Sequence, residues 1–93
     1  MQKLPYVVVR TYSAGVHVGE LSDRKEKEVL LTNARRIWRW YGANTLHEIA
    51  LRGVSAESRV SEPVPSITLT EAIEIIPCSD AAEANLRAAQ WIK

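Results

Sequence analysis

Its 93 residues set an expectation of one domain, residues 1–93, with about a third of the unfolded surface still exposed after folding. With 46% hydrophobic and 25% charged residues the chain is too apolar for disorder, and no stretch approaches a signal peptide or a membrane span, so a cytoplasmic, non-membrane protein is expected. A net charge of +1 lacks the basic excess of a nonspecific nucleic-acid binder, so no DNA partner is expected and anion recognition must come from locally clustered arginines.

Residues 6–12, Tyr-Val-Val-Val-Arg-Thr-Tyr, are β-branched and aromatic and predict a first strand. Ser13-Ala14-Gly15 supplies a turn, with Gly15 free to take positive φ, and residues 16–21 alternate as the return strand. Gly19 inside that strand predicts a bend, a bulge or a close backbone approach. Residues 22–27 carry mixed charges and read as an exposed hairpin connection.

A third strand is expected over residues 28–32, with the chain continuing extended to Tyr41. In that continuation Arg36, Trp38 and Trp40 share one face, while Arg35, Ile37, Arg39 and Tyr41 share the other. Thr45-Leu46-His47-Glu48 has capping-box spacing, which predicts a short helix over residues 45–52 ended by Gly53. Residues 54–65, with Pro63 and Pro65, read as a loop. Residues 66–76 form the clearest single strand, with Ile67, Leu69, Ile73 and Ile75 on one face and Glu71 as the exception. Pro77 stops it, Asp80 has N-cap spacing, and residues 81–91 predict a terminal helix with Leu86 inward.

The fold class is therefore mainly β (α+β). A small curled antiparallel sheet, or an SH3-like or Sm-like barrel, with one short helix and a C-terminal helix satisfies the turns and the sheet-edge problem.

The chemistry centres on residues 33–41. Guanidinium groups match phosphate oxygens by bidentate hydrogen bonds, and indole and phenol rings offer flat faces to a base. The candidate ligand-binding set is Arg10, Tyr12, Ser13, Arg35, Arg36, Trp38, Arg39, Trp40, Tyr41, Asn44 and Thr45. Trp40 in particular is expected to face outward or across a subunit boundary, and residues 54–65 or 41–45 to close over a ligand. The turn at Arg10–Gly15 adds hydroxyls and backbone amides able to meet an anion. A plainer reading gives each feature a structural role: strand tryptophans pack in cores, arginines cover ring edges, and turn hydroxyls satisfy their own turn.

No catalytic constellation is complete. His17 and His47 lack metal-ligand spacing, and the lone Cys78 follows a strand and a proline, where a small buried residue is expected. Neither a disulfide framework nor a cysteine-rich zinc site can be built from one cysteine. A non-enzyme with no cofactor and no metal is expected.

The stretches Tyr6-Val7-Val8-Val9-Arg10-Thr11-Tyr12-Ser13-Ala14-Gly15-Val16-His17-Val18-Gly19-Glu20, Asn33-Ala34-Arg35-Arg36-Ile37-Trp38-Arg39-Trp40 and Thr70-Glu71-Ala72-Ile73-Glu74-Ile75-Ile76-Pro77-Cys78 give the chain a resemblance. It resembles a family of small proteins of unknown function encoded by tailed phages and prophages. That resemblance implies an anti-defence protein in the host cytoplasm that sequesters a cyclic or modified nucleotide immune signal without turning it over. It implies, as an alternative, an inhibitor or adaptor that binds a host defence protein, and the Sm-like reading of the strands gives a third expectation, an Sm-like RNA-binding protein. A homo-oligomer with its ligand at a protomer boundary is the expected assembly.

Overall fold

The computed structural model describes residues 4–90. Strands β1 (Tyr6–Thr11), β2 (Val16–Lys25) and β3 (Glu28–Arg39) follow one another as an antiparallel meander. Helix α1 (Leu46–Arg52), strands β4 (Arg59–Val60), β5 (Val64–Leu69) and β6 (Ala72–Pro77), and helix α2 (Asp80–Ala88) complete the chain. All six strands belong to one antiparallel sheet of order β4-β3-β2-β1-β6, with β5 also paired to β3. The outer edge of β3 is thus shared. Its first half pairs β5 from Val29↔Leu69 to Ala34↔Val64, and its end pairs β4 at Ile37↔Val60 and Arg39↔Arg59.

Four consecutive buried residues in β1, Tyr6 to Val9, show why the sheet needs cover on both faces. Alternation sends Tyr6 and Val8 to one side, where they meet Ile49 and Ala50 of α1 and Leu86 of α2. Val7 and Val9 go to the other side, into a cluster built from strands alone: Val29, Leu31, Ala34, Leu69 and Ala72. A sheet can bury such a cluster only by curling over itself. Two register shifts in the β2–β3 ladder, between Val18 and Glu20 and between Leu21 and Asp23, supply the bend. At the first, Asn33 takes φ 49°, and a Cβ on Gly19 would lie 3.1 Å from both the Thr32 carbonyl oxygen and Ala34 Cα. Both the bulge and the close approach expected at Gly19 are present. The curl stops short of a closed barrel, because β5 and β6 form no ladder with each other.

Several local expectations need correction. The strand expected over residues 66–76 is two strands, broken at Thr70 and Glu71. That corner carries the chain from the edge of β3 to the edge of β1. Tyr12 N–H donates to the Glu71 carbonyl at 3.0 Å, and Ala72 N–H to the Lys27 carbonyl at 3.1 Å. Beyond the corner, Ile73 is an extra residue between the pairs Arg10↔Glu74 and Thr11↔Ala72, so it is pushed out to solvent instead of joining Ile67 and Leu69.

Residues 54–65 are not a plain loop, since they contain β4 and the start of β5, with Val54, Ser58 and Val60 buried. Pro65 fits there because β5 lies on an edge. The hairpin connection shrinks to Glu26 and Lys27, with Glu26 at φ 55°. Helix α2 is capped by Ser79, whose hydroxyl accepts from Ala82 N–H, and not by Asp80. Its expected end at Trp91 lies outside the described residues.

Helix α1 matches its signals closely. The Thr45 hydroxyl accepts from Glu48 N–H, and Gly53, at φ 83°, donates to the Ile49 carbonyl at 2.7 Å. No helix of the described residues is long and apolar enough to cross a membrane.

Candidate functional site

The Arg- and Trp-rich run is split by the fold into three environments. Arg35 goes inward: only 5% exposed, it donates from Nε to the Ser61 carbonyl at 2.8 Å and from Nη1 to the Leu86 and Arg87 carbonyls at 2.9 and 3.3 Å. Burial lowers its pKa, yet a guanidinium stays charged, and the carbonyls at the C-terminal end of α2 supply the negative pole it faces. Arg35 is thus committed to backbone carbonyls, and with His17 and Arg36 it lines a small cavity of about 200 Å³. Arg36, next in the chain, is exposed and donates to the Ala14 carbonyl.

The alternation expected beyond Ile37 fails for two reasons. Ile37 pairs Val60 and Arg39 pairs Arg59, so Trp38 is an extra residue on β3, a bulge that re-aims its side chain. Trp38 is 54% exposed, with the Arg59 guanidinium 6.0 Å from its ring centroid. The strand then ends at Arg39, which frees Trp40 from the pleat. Trp40, expected to face outward, is half-buried against the helix-side core. Tyr41 is exposed with Arg39 5.9 Å from its ring, its backbone fixed by bonds to Ser58 Oγ and from Ser55 N–H.

Trp40 forms part of an open groove of about 360 Å³ lined by Arg10, Val16, Trp40, Thr45, Leu46, His47 and Glu74. The groove sits at the end of the helix-side core, and its apolar lining is Val16, Trp40 and Leu46, all partly buried residues of that cluster's fringe. β1 carries Arg10 to the rim, where it lies 3.5 Å from Glu74. Both side chains are well exposed, so water screens this ion pair and it contributes little to stability. Thr45 reaches the rim because it caps α1. Asn44 beside it is exposed, and its N–H donates to Glu48 Oε1 at 3.3 Å.

The β1–β2 turn satisfies itself. Thr11 Oγ1 donates to the Gly15 carbonyl at 2.7 Å and accepts from Ala14 N–H at 2.8 Å, while Ser13 Oγ donates to Glu71. The Ala14 carbonyl accepts from Arg36 and, at 2.9 Å, from His17 Nε2, which fixes the tautomer carrying hydrogen on Nε2. Burial lowers the His17 pKa and Arg36 adds to that, against the opposing Ala14 bond. The exposed feature left at this turn is the Tyr12 ring.

Cys78 is partly buried, and burial, with Glu83 nearby, pushes its thiol up to about 11. Among the described residues no group of three or more His, Cys, Asp or Glu is placed to hold a metal ion.

The model of a family described as "Domain of unknown function (DUF6948)" matches residues 4–86. The chain belongs to that family. The DUF6948 match runs from before β1 to Leu86 of α2, so the groove, the bulge at Trp38 and the Arg35 bonds to Ser61 and Leu86 lie within the family domain. No curated protein and no solved structure matches the chain.

Residue types thus pointed to Arg10, Trp40 and Thr45, which share the groove, but not to their neighbours in it. Val16 and Glu74 come from β2 and β6, and only the three-dimensional path brings them to the groove, while Leu46 follows Thr45 directly in α1. Arg59 was hidden in the stretch read as a loop, where a single apolar residue, Val60, among polar neighbours gives no periodic signal of β4.

Proposed function

We propose that this DUF6948 protein is a non-catalytic binding protein that holds a nucleotide-type ligand in the groove between Arg10 and Trp40. The observation carrying this reading is convergence: Arg10 from β1, Trp40 after β3 and the α1 cap Thr45 line one groove. At about 360 Å³ the groove falls at the small end of ligand sites, which run from about 300 to 1,000 Å³. An indole at an apolar wall suits a base, worth about 1–3 kcal/mol per stacked base. The Arg10 guanidinium can exchange a screened carboxylate for a phosphate at little cost.

Binding without turnover suits the role of a sponge for a cyclic or modified nucleotide signal. The resemblance to small phage and prophage proteins supports an anti-defence setting in the host cytoplasm, and a homo-oligomer would repeat the groove once per protomer. The strongly curled sheet supports kinship with small SH3-like or Sm-like barrels.

Isothermal titration of the folded protein against linear and cyclic nucleotides tests the reading. Micromolar or tighter binding of one of them is expected, weakened about tenfold by Arg10→Ala, in keeping with about 1.5–3 kcal/mol for a charged hydrogen bond. Absence of heat across the panel from a folded sample overturns it.

A further inference from the structure

The nucleotide reading uses Arg10 and Trp40 and leaves Glu74 unexplained, although Glu74 lines the same groove. A carboxylate repels a phosphate placed beside it, so a site for phosphate alone gains nothing from one. The register sets Glu74 of β6 directly opposite Arg10 of β1, and their side chains stand 3.5 Å apart. Among the described residues the Glu74 carboxylate meets no partner but Arg10, and its side chain is 39% exposed. An ionised carboxylate offers about four lone-pair sites and no donor, so acceptor positions stay open on it. The other polar side chains of the lining do not match that capacity. A guanidinium only donates, a neutral imidazole accepts at a single nitrogen, and the Thr45 hydroxyl already accepts from Glu48 N–H at 3.4 Å.

We propose that Glu74 is a specificity-determining residue of this groove: it accepts hydrogen bonds from ribose hydroxyls, so the site takes ribonucleotides over deoxyribonucleotides. The inference rests on the nucleotide reading above. The covalent order of a nucleotide carries the assignment, because the sugar is the part that joins phosphate to base. A carboxylate held beside the phosphate-binding guanidinium, in a groove whose apolar wall takes the base, meets that sugar. A hydroxyl donating to a carboxylate makes a charge-assisted bond, and the 2′-hydroxyl is the group by which a protein tells a ribonucleotide from its deoxy counterpart. A guanine edge also offers N–H donors, but it lies on the far side of the base from the sugar and phosphate, whereas Glu74 is held next to Arg10. The same pairing sets what the groove refuses. With Glu74 beside it, Arg10 presents little net charge to a bare phosphate, and a ligand must bring both an anion and hydroxyl donors to satisfy the two residues together.

Isothermal titration tests it with AMP, GMP, cyclic AMP, cyclic di-AMP and cyclic di-GMP, each set against its 2′-deoxy counterpart. The parent should bind its tightest ribonucleotide about tenfold or more better than the deoxy form, since a site built to bond a hydroxyl rejects the analogue lacking it. Glu74→Ala should bring that ratio to within about twofold of unity. Glu74→Gln, which keeps the side-chain shape and one acceptor oxygen but not the charge, should lower the ratio by less, and a thermal transition verifies that each variant is folded. Equal affinity for the two forms in the parent, or a ribose preference that survives both substitutions, overturns the assignment and leaves the nucleotide reading standing. Silence across every nucleotide overturns the nucleotide reading itself, and this assignment with it.

Discussion

Arg35 Nη1 donates to the Leu86 carbonyl at 2.9 Å, so a side chain from the middle of the sheet closes the last turn of the C-terminal helix. The same guanidinium reaches the Arg87 and Ser61 carbonyls, which ties β3, α2 and the segment after β4 to one cation. Replacing it strands several buried acceptors at once. Arg35→Met is expected to cost about 3 kcal/mol of unfolding free energy, and Arg35→Lys to recover only part of it because an ammonium cannot serve three carbonyls in a plane. Urea denaturation of the two variants measures both.

Gly53 and Asn85 are fitted to each other. Gly53 holds φ 83°, and a Cβ there would lie 2.2 Å from Asn85 Oδ1. Asn85 in turn accepts from Val54 N–H at 2.9 Å and donates to the Val54 carbonyl at 3.0 Å. Gly53→Ala should therefore destabilise by about 2 kcal/mol, part of it backbone strain and part the clash. In a double-mutant cycle with Asn85→Gly the combined cost should be less than the sum of the two, since removing the whole side chain, Cβ included, relieves the clash. Strict additivity would show that the strain lies wholly in the backbone.

The two tryptophans of the β3 end separate by the same kind of measurement. Trp38 is exposed on its bulge, so Trp38→Ala should shift stability by no more than about 0.5 kcal/mol. Trp40 packs on the helix-side core, and Trp40→Ala should cost about 2–3 kcal/mol. Similar costs for both would contradict their different burial.

Acid should weaken the fold through His17. Its pKa is held below the ordinary 6.5 by burial, so between 6.5 and the lower folded value the unfolded chain binds a proton that the native chain does not. Stability from this group is complete above pH 6.5 and declines as the pH falls toward the folded pKa. Glu20, whose pKa is lowered by its bonds from Arg87 and Thr32, adds a second loss that begins below its ordinary 4.5. His17→Gln keeps a donor for the Ala14 carbonyl and should flatten the upper segment of a stability–pH curve while leaving the lower one. Denaturation midpoints read from about pH 7 down to about pH 3, through ordinary His titration and below ordinary carboxylate titration, distinguish the two segments.

How far the fold could be read depended on whether its determinants were local. β1, the turn at Gly15 and α1 with Thr45 and Gly53 were legible, because β-branched runs, positive-φ glycines and caps act within a few residues. The break at Thr70 and Glu71 was not, since residues 66–76 contain no glycine or proline and keep a β-forming composition throughout. Its cause is the distance between two sheet edges, and the faint local trace was Glu71 falling on an apolar face. Arg35 and Arg36 are the same residue type in adjacent positions, and nothing in their neighbourhood distinguishes them. The position of the α2 C-terminus decides which one is buried. Trp38 and Trp40 likewise share a face in any ideal strand, and they part because a bulge and a strand end intervene.

The pairing of β1 with β6 has a consequence for how the chain is made. Val7 finds its partner in Pro77, and Val8 in Ile76. During synthesis the first strand can pair with β2 early, but its other edge stays open until nearly all of the domain has emerged from the ribosome. Until then an aliphatic run buried on both faces in the finished protein waits beside an unpaired edge, the period in which a nascent chain of this topology is most exposed to aggregation and to chaperone capture.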